Sequence, residues 1–336
     1  MARRFNWADI LLVKRLQDQV TCLDLEAALL WSSAPLSLAL FELLSLNQGR
    51  CTTFVEDDHS TDRAAQGFLQ AWNRSDGLSC DVEFISPTLD GSAASIELWR
   101  GLLEHLSVVK GESGIQRIFA TVPDGGPAAD LLRKIGFSAY ARRHVLRLGQ
   151  LPAELDVAGN AHFRPARDAD AQVLQRLRSS LIPRPVQHAE GGSHAEKDRT
   201  SLLPWWKSRE IKEYVWKEGA DIQAYVRIIV GQDGHWLRLL LEPTAASLAD
   251  AVLSNSLSLL SSYPARPVYC AVREYEGGVQ GALDAVGFEF LASEVLMVKH
   301  MAVRARVPVN KLSPALEKGV ETATPISTSN HCQDQP

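Results

Sequence analysis

The chain has 336 residues, enough for two domains of ordinary size, and its 46% hydrophobic and 22% charged residues are typical of a globular protein. Its formal net charge of -5 and pI near 6.0 argue against the basic face that nucleic-acid binding normally needs, so we expect no nucleic-acid partner. The longest uncharged run, residues 27–41, is shorter than the ~20 residues that cross a bilayer, so we expect no membrane partner.

The cysteines predict neither a disulfide framework nor a zinc site, because they are scattered, odd in number and form no C-x-x-C pair. They are Cys22, Cys51, Cys80, Cys270 and Cys332. Residues 1–4 are basic, but polar and charged residues interrupt any apolar run after them, which is not the pattern of a signal peptide. We therefore expect a reduced protein in the cytoplasm, without a metal cofactor.

The N-terminal part begins with helical patterns and then changes period. Residues 5–16 predict a strand and a helix that begins near Asp9, and residues 23–46 predict a helical region broken near Pro35. Strands follow at residues 51–55, 64–72 and 78–85, the first two forming a hairpin.

The strand at residues 78–85 carries two carboxylates, Asp81 and Glu83, two positions apart. Alternation along a strand places both on one side and Val82 and Phe84 on the other. After Pro87, residues 90–92 predict a turn and N-cap for a helix over 95–106.

One construction occurs twice, about 150 residues apart, which predicts duplicated domains. Residues 118–122 and 268–272 are runs without polar alternation and predict buried strands. A short amphipathic helix follows each, and each helix ends at a glycine followed by phenylalanine, at Gly136-Phe137 and Gly287-Phe288.

The domain boundaries follow from this repeat. We predict an N-terminal domain over residues 1–148, a linker over 149–161, a C-terminal domain over 162–302, and a polar, disordered tail over 303–336. Within the second domain, residues 182–203 contain His188 and His194 and predict a solvated loop rather than a metal site. Four aromatics, Trp205, Trp206, Tyr214 and Trp216, predict core packing or, alternatively, an acceptor pocket.

The strand, helix, Gly-Phe, strand order resembles the C-terminal half of the GNAT (N-acetyltransferase) superfamily fold. Residues 131–137, followed by Tyr140 and a strand at 144–148, are the most specific match, and residues 282–288 are similar. The resemblance covers most of both domains. It implies an α/β (α+β) fold of two tandem GNAT-like domains, each a mixed, mostly antiparallel sheet flanked by helices.

The resemblance also implies where a coenzyme binds. In the superfamily the helix after the central strand receives the pyrophosphate of acetyl-CoA at its N-terminus, where free N–H groups bind phosphates. The superfamily's loop pattern ends with Gly, one variable residue, then Gly or Ala, which Gly91 and Ala93 match. Thr88 replaces the usual Gln or Arg, and Asp90 adds a negative charge. The resemblance thus implies acetyl-CoA as co-substrate, without a metal, bound by Phe84, Ile85, Gly91, Ser92 and Ala93.

The catalytic groups are incomplete by the superfamily's pattern. Its members often use a carboxylate on the central strand as base, which implies that role for Glu83; alternatively Glu83 lies on a solvated strand face. The usual acid is a Tyr four residues before the Gly of Gly-Phe. Here that residue is Leu132, which cannot donate a proton, and the nearest hydroxyl is that of Tyr140.

Two functions therefore remain open. The first is an acyl-CoA-dependent N-acyltransferase that transfers an acetyl group to a small-molecule or peptide amine, with the coenzyme in the N-terminal domain. The second is a non-catalytic tandem GNAT-like protein with a ligand-binding or scaffolding role. In the C-terminal domain the matching loop, residues 244–248, has neither glycine nor a basic residue, so we expect that domain to be a scaffold or to shape the acceptor site. The sequence does not indicate the acceptor or the oligomeric state.

Overall fold

A computed structural model describes residues 2–31, 35–44, 50–58, 65–152, 162–191 and 210–301. The predicted tail, residues 153–161 of the predicted linker, His194, Trp205 and Trp206 lie outside the described residues. We refer to residues 1–152 as the first half and to residues 162–301 as the second half.

The described strands confirm the strand pattern predicted from the sequence, including the first hairpin and the strand that follows it. The strands of the first half are β1 (Arg3–Arg4), β2 (Thr21–Cys22), β3 (Cys51–Asp58), β4 (Ala65–Asn73), β5 (Ser79–Ser86), β6 (Arg117–Pro123) and β7 (Ser138–Leu148). The strands of the second half are β8 (Phe163–Pro165), β9 (Glu210–Glu218), β10 (Asp221–Val230), β11 (His235–Leu241), β12 (Val268–Arg273) and β13 (Glu289–His300).

One helix prediction was wrong in extent, and one loop prediction was wrong in part. The helix predicted over 95–106 begins at Ala93 and continues to Glu112, and part of the loop predicted over 182–203 is a helix on which Val186 and Ala189 are buried. The helices are α1 (Ile10–Leu16), α2 (Leu25–Leu30), α3 (Pro35–Leu43), α4 (Ala93–Glu112), α5 (Pro127–Lys134), α6 (Ala171–Leu181), α7 (Arg184–Glu190), α8 (Ala249–Leu260) and α9 (Gln280–Val286).

All the described strands belong to one sheet. Its order is β1-β3-β4-β5-β6-β13-β7-β12-β11-β10-β9-β8, and β2 pairs with β5 outside this path. Only the pairs β5–β6 and β11–β12 are parallel, and the other strand pairs are antiparallel. The predicted fold class, a mixed and mostly antiparallel sheet flanked by helices, is confirmed.

The closing strands of the two halves are exchanged. β13, from the second half, lies between β6 and β7 of the first half, and β7 lies between β13 and β12. Val295 and Met297 of β13 are buried in the core of the first half, whereas Leu146 and Leu148 of β7 are buried in the core of the second. Each hydrophobic core is therefore completed by a strand from the other half.

The repeated Gly-Phe pairs set the start of these exchanged strands. Gly136 and Gly287 have φ angles of +95° and +93°, in the left-handed region that only glycine adopts without strain. Phe137 and Phe288 then turn into the first and second cores respectively. The predicted helix ends and buried phenylalanines are confirmed.

The second helix of each half also packs on the other half. Leu30 and Trp31, at the end of α2, are buried with Trp236 of β11. The Leu30 carbonyl accepts a hydrogen bond from the Gln232 N–H at 2.9 Å, and a Cβ on Gly231 would lie 2.8 Å from Leu30, so only glycine allows this approach. In the reverse direction, α7 buries Ala189 against Phe119 of β6.

Candidate active site

The central strand β5 pairs with β6 only near its start. Ser79, Cys80 and Asp81 lie opposite residues 117–119, and among the described residues this pairing ends there. Farther along, the same edge of β5 pairs with β2. The divergence of β5 and β6 opens the sheet at the residues predicted to hold the coenzyme.

A β-bulge places Glu83 outside the regular alternation of β5. Phe84 lies opposite Gln70 and Val82 lies opposite Ala71, so Glu83 is the extra residue. Phe84 is buried in the cluster beneath α1 and α3, whereas Val82 is buried in the cluster beneath α4. The predicted placement of Val82 and Phe84 on one side was therefore wrong, because the bulge shifts the pattern.

The Glu83 side chain is half-buried, and its charge affects the buried thiol of Cys51. Burial raises the pKa of Cys51 well above its usual range, and the charges of Glu42 and Glu83 raise it further. Because Cys51 belongs to the cluster beneath α1 and α3, the Glu83 carboxylate lies near that face of the sheet.

Asp81 forms a buried ion pair with Arg74. Its Oδ2 and Oδ1 accept hydrogen bonds from Nε and an amino group of Arg74 at 2.8 Å and 2.7 Å. The same guanidinium lies 3.8 Å from the ring centroid of Phe119, which adds a cation–π contact. Asp81 therefore takes part in a buried ion pair that stabilises the fold, and Glu83 stays the predicted base.

The loop between β5 and α4 has a left-handed backbone conformation at position 91, which suits the glycine there. Gly91 has a φ angle of +82°, and Ser92 caps α4 by accepting a hydrogen bond from the Ser95 N–H at 3.2 Å. The predicted turn and N-cap are thus confirmed. Among the described residues, the N–H groups of Ala93 and Ala94 have no hydrogen-bond partner, as is usual in the first turn of a helix. Two donors remain at the helix N-terminus.

Asp90 already places a negative charge at this helix end. Its Oδ1 accepts hydrogen bonds from Ser95 Oγ at 2.5 Å and from the Ser92 N–H at 2.8 Å. These hydrogen bonds lower the pKa of Asp90 to about 2, so the carboxylate is ionised at neutral pH. A bound diphosphate would therefore lie beside a negatively charged carboxylate, which repels it.

The β2 segment, residues 21–23, lies along the part of the β5 edge with which β6 does not pair. Thr21 lies opposite Ile85, Cys22 lies opposite Phe84, and the Leu23 N–H donates to the Glu83 carbonyl at 2.7 Å. The Leu23 side chain is only 1% exposed and belongs to the same core cluster as residues of both β5 and β6. Backbone and side chain of this segment together fill the opening between the two strands.

An acyl-CoA would therefore fit this site only in part. Its diphosphate would find the donors of Ala93 and Ala94, which suit an anion at a helix N-terminus. Its thioester end would need the backbone of Ile85, which pairs with Thr21. The coenzyme and Thr21 cannot both form hydrogen bonds with that edge of β5.

The second half differs where its two parallel strands diverge. β11 and β12 pair only from His235 to Leu237, and Arg238 then donates to Glu276 Oε1 at 2.9 Å. Both side chains are buried, and Glu276 Oε2 also accepts from the Arg273 N–H at 2.9 Å. The glycine-free loop before α8 forms a 3-10 turn. A buried ion pair thus lies where β11 and β12 stop pairing.

Neither of the two positions considered for the acid, Leu132 and Tyr140, is suited to donate a proton. Leu132 is fully buried in the first core. Tyr140 packs edge-to-face on Phe119 with ring centroids 6.0 Å apart, and burial raises the pKa of its hydroxyl above the usual range. That hydroxyl therefore retains its proton more firmly than an exposed tyrosine does.

The described ranges contain no metal site and no candidate membrane span. No group of three or more His, Cys, Asp or Glu side chains in them is arranged to hold a metal ion. None of their helices has both the length and the apolar character to cross a membrane.

Comparison with known proteins identifies the fold. No protein-family model and no curated protein matches the sequence. A solved GCN5-related N-acetyltransferase from Sphaerobacter thermophilus matches 89% of this chain and 95% of its own, with 14% identity and a TM-score of 0.53. This chain has the GNAT fold. The predicted resemblance is confirmed, and it extends over both halves.

Two other GNAT structures show similar coverage. A tandem GNAT protein from the clavulanic acid biosynthesis pathway, solved without acetyl-CoA, matches 89% of this chain and 98% of its own, with 14% identity and a TM-score of 0.49. A GCN5-related N-acetyltransferase from Anabaena variabilis matches 90% of this chain and 73% of its own, with 12% identity and a TM-score of 0.45.

The sequence analysis missed the β2 segment, although a signal for it exists. In the first half, eight residues, 17–24, connect the first two helices, whereas in the second half only Ile182 and Pro183 connect them. Alignment of the two repeats on these helices would have shown the longer connection in the first half. Strand β2 lies within that connection.

Proposed function

We propose that the chain is an acyl-CoA-dependent N-acyltransferase that transfers an acetyl group to an amine, with the coenzyme bound by the first half. The observation that carries this proposal is the pair of open N–H donors, those of Ala93 and Ala94, at the start of a 20-residue helix that follows the central strand of a GNAT fold. Gly91 and Ser92 complete the diphosphate end, and the backbones of Phe84 and Ile85 hold the rest of the coenzyme once β2 has left.

The first half suits this role better than the second. Its α4 loop is exposed from Asp90 to Ala94, so a ligand reaches the helix end from solvent. In the second half, Ala245 of the matching loop is buried, and the buried pair of Arg238 and Glu276 lies where the strands diverge.

A second candidate is a non-catalytic tandem GNAT-fold protein. It is favoured by one specific observation, that β2 and the Leu23 side chain fill the opening between β5 and β6. In this case the fold would serve ligand binding elsewhere or assembly.

Thermal stabilisation by acetyl-CoA separates the two candidates. At about 100 times its Kd, acetyl-CoA is expected to raise the free energy of unfolding by about 2.7 kcal/mol. Gly91→Glu is expected to abolish the effect because it adds a negative charge beside the open donors. Gly91→Gln is the matched control, since it imposes the same strain at the +82° φ angle without the charge, and it is expected to retain most of the stabilisation.

Equal stabilisation of Gly91→Glu and Gly91→Gln would place the coenzyme elsewhere. If acetyl-CoA stabilises neither the parent chain nor variants in which β2 is weakened, the non-catalytic candidate is correct.

Glu83 is proposed as the base that takes the proton of the attacking amine. Replacing it, Glu83→Gln, is expected to lower kcat about 10²-fold to 10⁴-fold and leave the Kd for acetyl-CoA unchanged, because only proton transfer is lost. The assay follows release of the coenzyme A thiol with a panel of primary amines. The control is Glu289→Gln, which neutralises an exposed carboxylate on β13. Turnover by Glu83→Gln equal to that of the control would exclude this role.

A further inference from the structure

We infer that the β2 segment is an intramolecular competitor of the coenzyme, so that the first half exists in a closed form, with β2 paired to β5, and an open form that binds acyl-CoA. This inference rests on the proposed function and adds the regulation of the same site. Three independent features of the described residues support it.

The first feature is the backbone pairing. Leu23 donates to Glu83 at 2.7 Å, so Leu23 and Glu83 form a hydrogen-bonded pair of the antiparallel ladder. Hydrogen-bonded and non-hydrogen-bonded pairs alternate, which makes Thr21 and Ile85 the next hydrogen-bonded pair. The N–H and C=O groups of Ile85 that face the opening are therefore used by Thr21. A ligand that binds this edge must displace the segment.

The second feature is the imperfect fit of the segment. The Thr21 hydroxyl oxygen is buried, and among the described residues it has no hydrogen-bond partner. A buried hydroxyl without a partner opposes the closed form, because water would satisfy it in the open form. With only two residues in β2, few backbone bonds have to break for the segment to leave.

The third feature is the contrast between the halves. The segment occurs in the half with open donors at the helix end, and the corresponding two-residue connection in the second half leaves no room for it. There Arg238 and Glu276 form a buried ion pair just past the last paired residue of β11, and separating it would leave two buried charges without partners. Where their parallel strands diverge, the first half thus has a two-residue strand and the second half a buried ion pair.

A closed form weakens binding, because the apparent Kd is the intrinsic Kd divided by the open fraction. Thr21→Pro removes the N–H that bonds to β5 and is expected to tighten acetyl-CoA binding at least ~10-fold in the full-length chain, measured by calorimetry. Thr21→Val is the matched comparison: it keeps the strand and its N–H, and it removes only the unpartnered hydroxyl. Because that hydroxyl opposes the closed form, Thr21→Val is expected to weaken acetyl-CoA binding at least ~5-fold, the opposite of the Thr21→Pro effect.

A disulfide that fixes β2 to β5 tests the inference in the opposite direction. It also provides a test if Thr21→Pro does not fold. Cys22 and Phe84 form a non-hydrogen-bonded pair, in which Cα atoms lie about 4.5 Å apart, within the range that a disulfide spans. In Phe84→Cys, oxidation is expected to join the new thiol to Cys22 and weaken acetyl-CoA binding at least ~10-fold relative to the reduced form of the same variant.

The outcomes distinguish this inference from the proposed function. If binding is sensitive to Gly91→Glu but unchanged by Thr21→Pro and by the disulfide, the inference is overturned and the function stands. If the parent, a folded Thr21→Pro and reduced Phe84→Cys all fail to bind acetyl-CoA, both are overturned. Tighter binding after opening and weaker binding after locking support both.

Discussion

Produced alone, residues 1–152 are expected to give no folded monomer. Without the second half, β6 and β7 lose β13, the strand that lies between them. Four consecutive side chains of β13, residues 295–298, are at most 5% exposed in the intact chain. Deleting one buried side chain of this size costs about 2–5 kcal/mol. The combined loss from four such side chains, about 8–20 kcal/mol, is as large as the total stability of about 5–15 kcal/mol that a domain has.

The experiment is complementation of the two halves. Residues 1–152 alone are expected to lack a near-ultraviolet circular dichroism signal and a cooperative melting transition. Coexpression with residues 162–336 is expected to restore both and to give a one-to-one complex on size-exclusion chromatography. Cooperative melting of residues 1–152 alone would show that the predicted tandem domains fold independently, as the boundaries proposed from the sequence imply.

The strand exchange could not be predicted because the two repeats are alike. β7 and β13 each follow a Gly-Phe pair, and each places apolar residues in a hydrophobic core, so these features do not distinguish the two positions. Sequence patterns indicate which face of a strand is buried but not which of two similar strands pairs there. Most of the long strands, their order and the GNAT fold were predictable, whereas the partner of each closing strand was not.

The candidate site was predictable where local chemistry decides it. Gly91 and Ser92 form the turn and the cap because glycine permits the left-handed conformation and the serine hydroxyl caps a helix. The bulge at Glu83 depends on the register between β4 and β5, which no local pattern records. The β2 strand, at two residues, is too short for any periodicity to predict it.

The buried ion pair of Arg143 and Glu294 gives the second large effect. Arg143 of β7 lies directly opposite Glu294 of β13, and its Nε donates to Glu294 Oε2 at 2.7 Å. The two residues are only 8% and 5% exposed, so solvent screens neither charge. Glu294→Gln is therefore expected to lower the free energy of unfolding by about 3–5 kcal/mol, because it leaves a buried guanidinium without a counterion.

Two controls show whether burial of the unpaired charge causes this loss. Asp130→Asn breaks the exposed pair of Asp130 and Arg133 on α5 and is expected to change stability by less than about 1 kcal/mol. The double variant Arg143→Met, Glu294→Leu replaces both charges by apolar side chains and is expected to regain most of the loss, because neither partner is then left charged.

Urea denaturation of the full-length chain measures the free energy of unfolding of all three variants. Equal costs for Glu294→Gln and Asp130→Asn would show that the pair contributes no more than a surface pair. A double variant no more stable than Glu294→Gln would show instead that the charges themselves are needed to align β7 with β13.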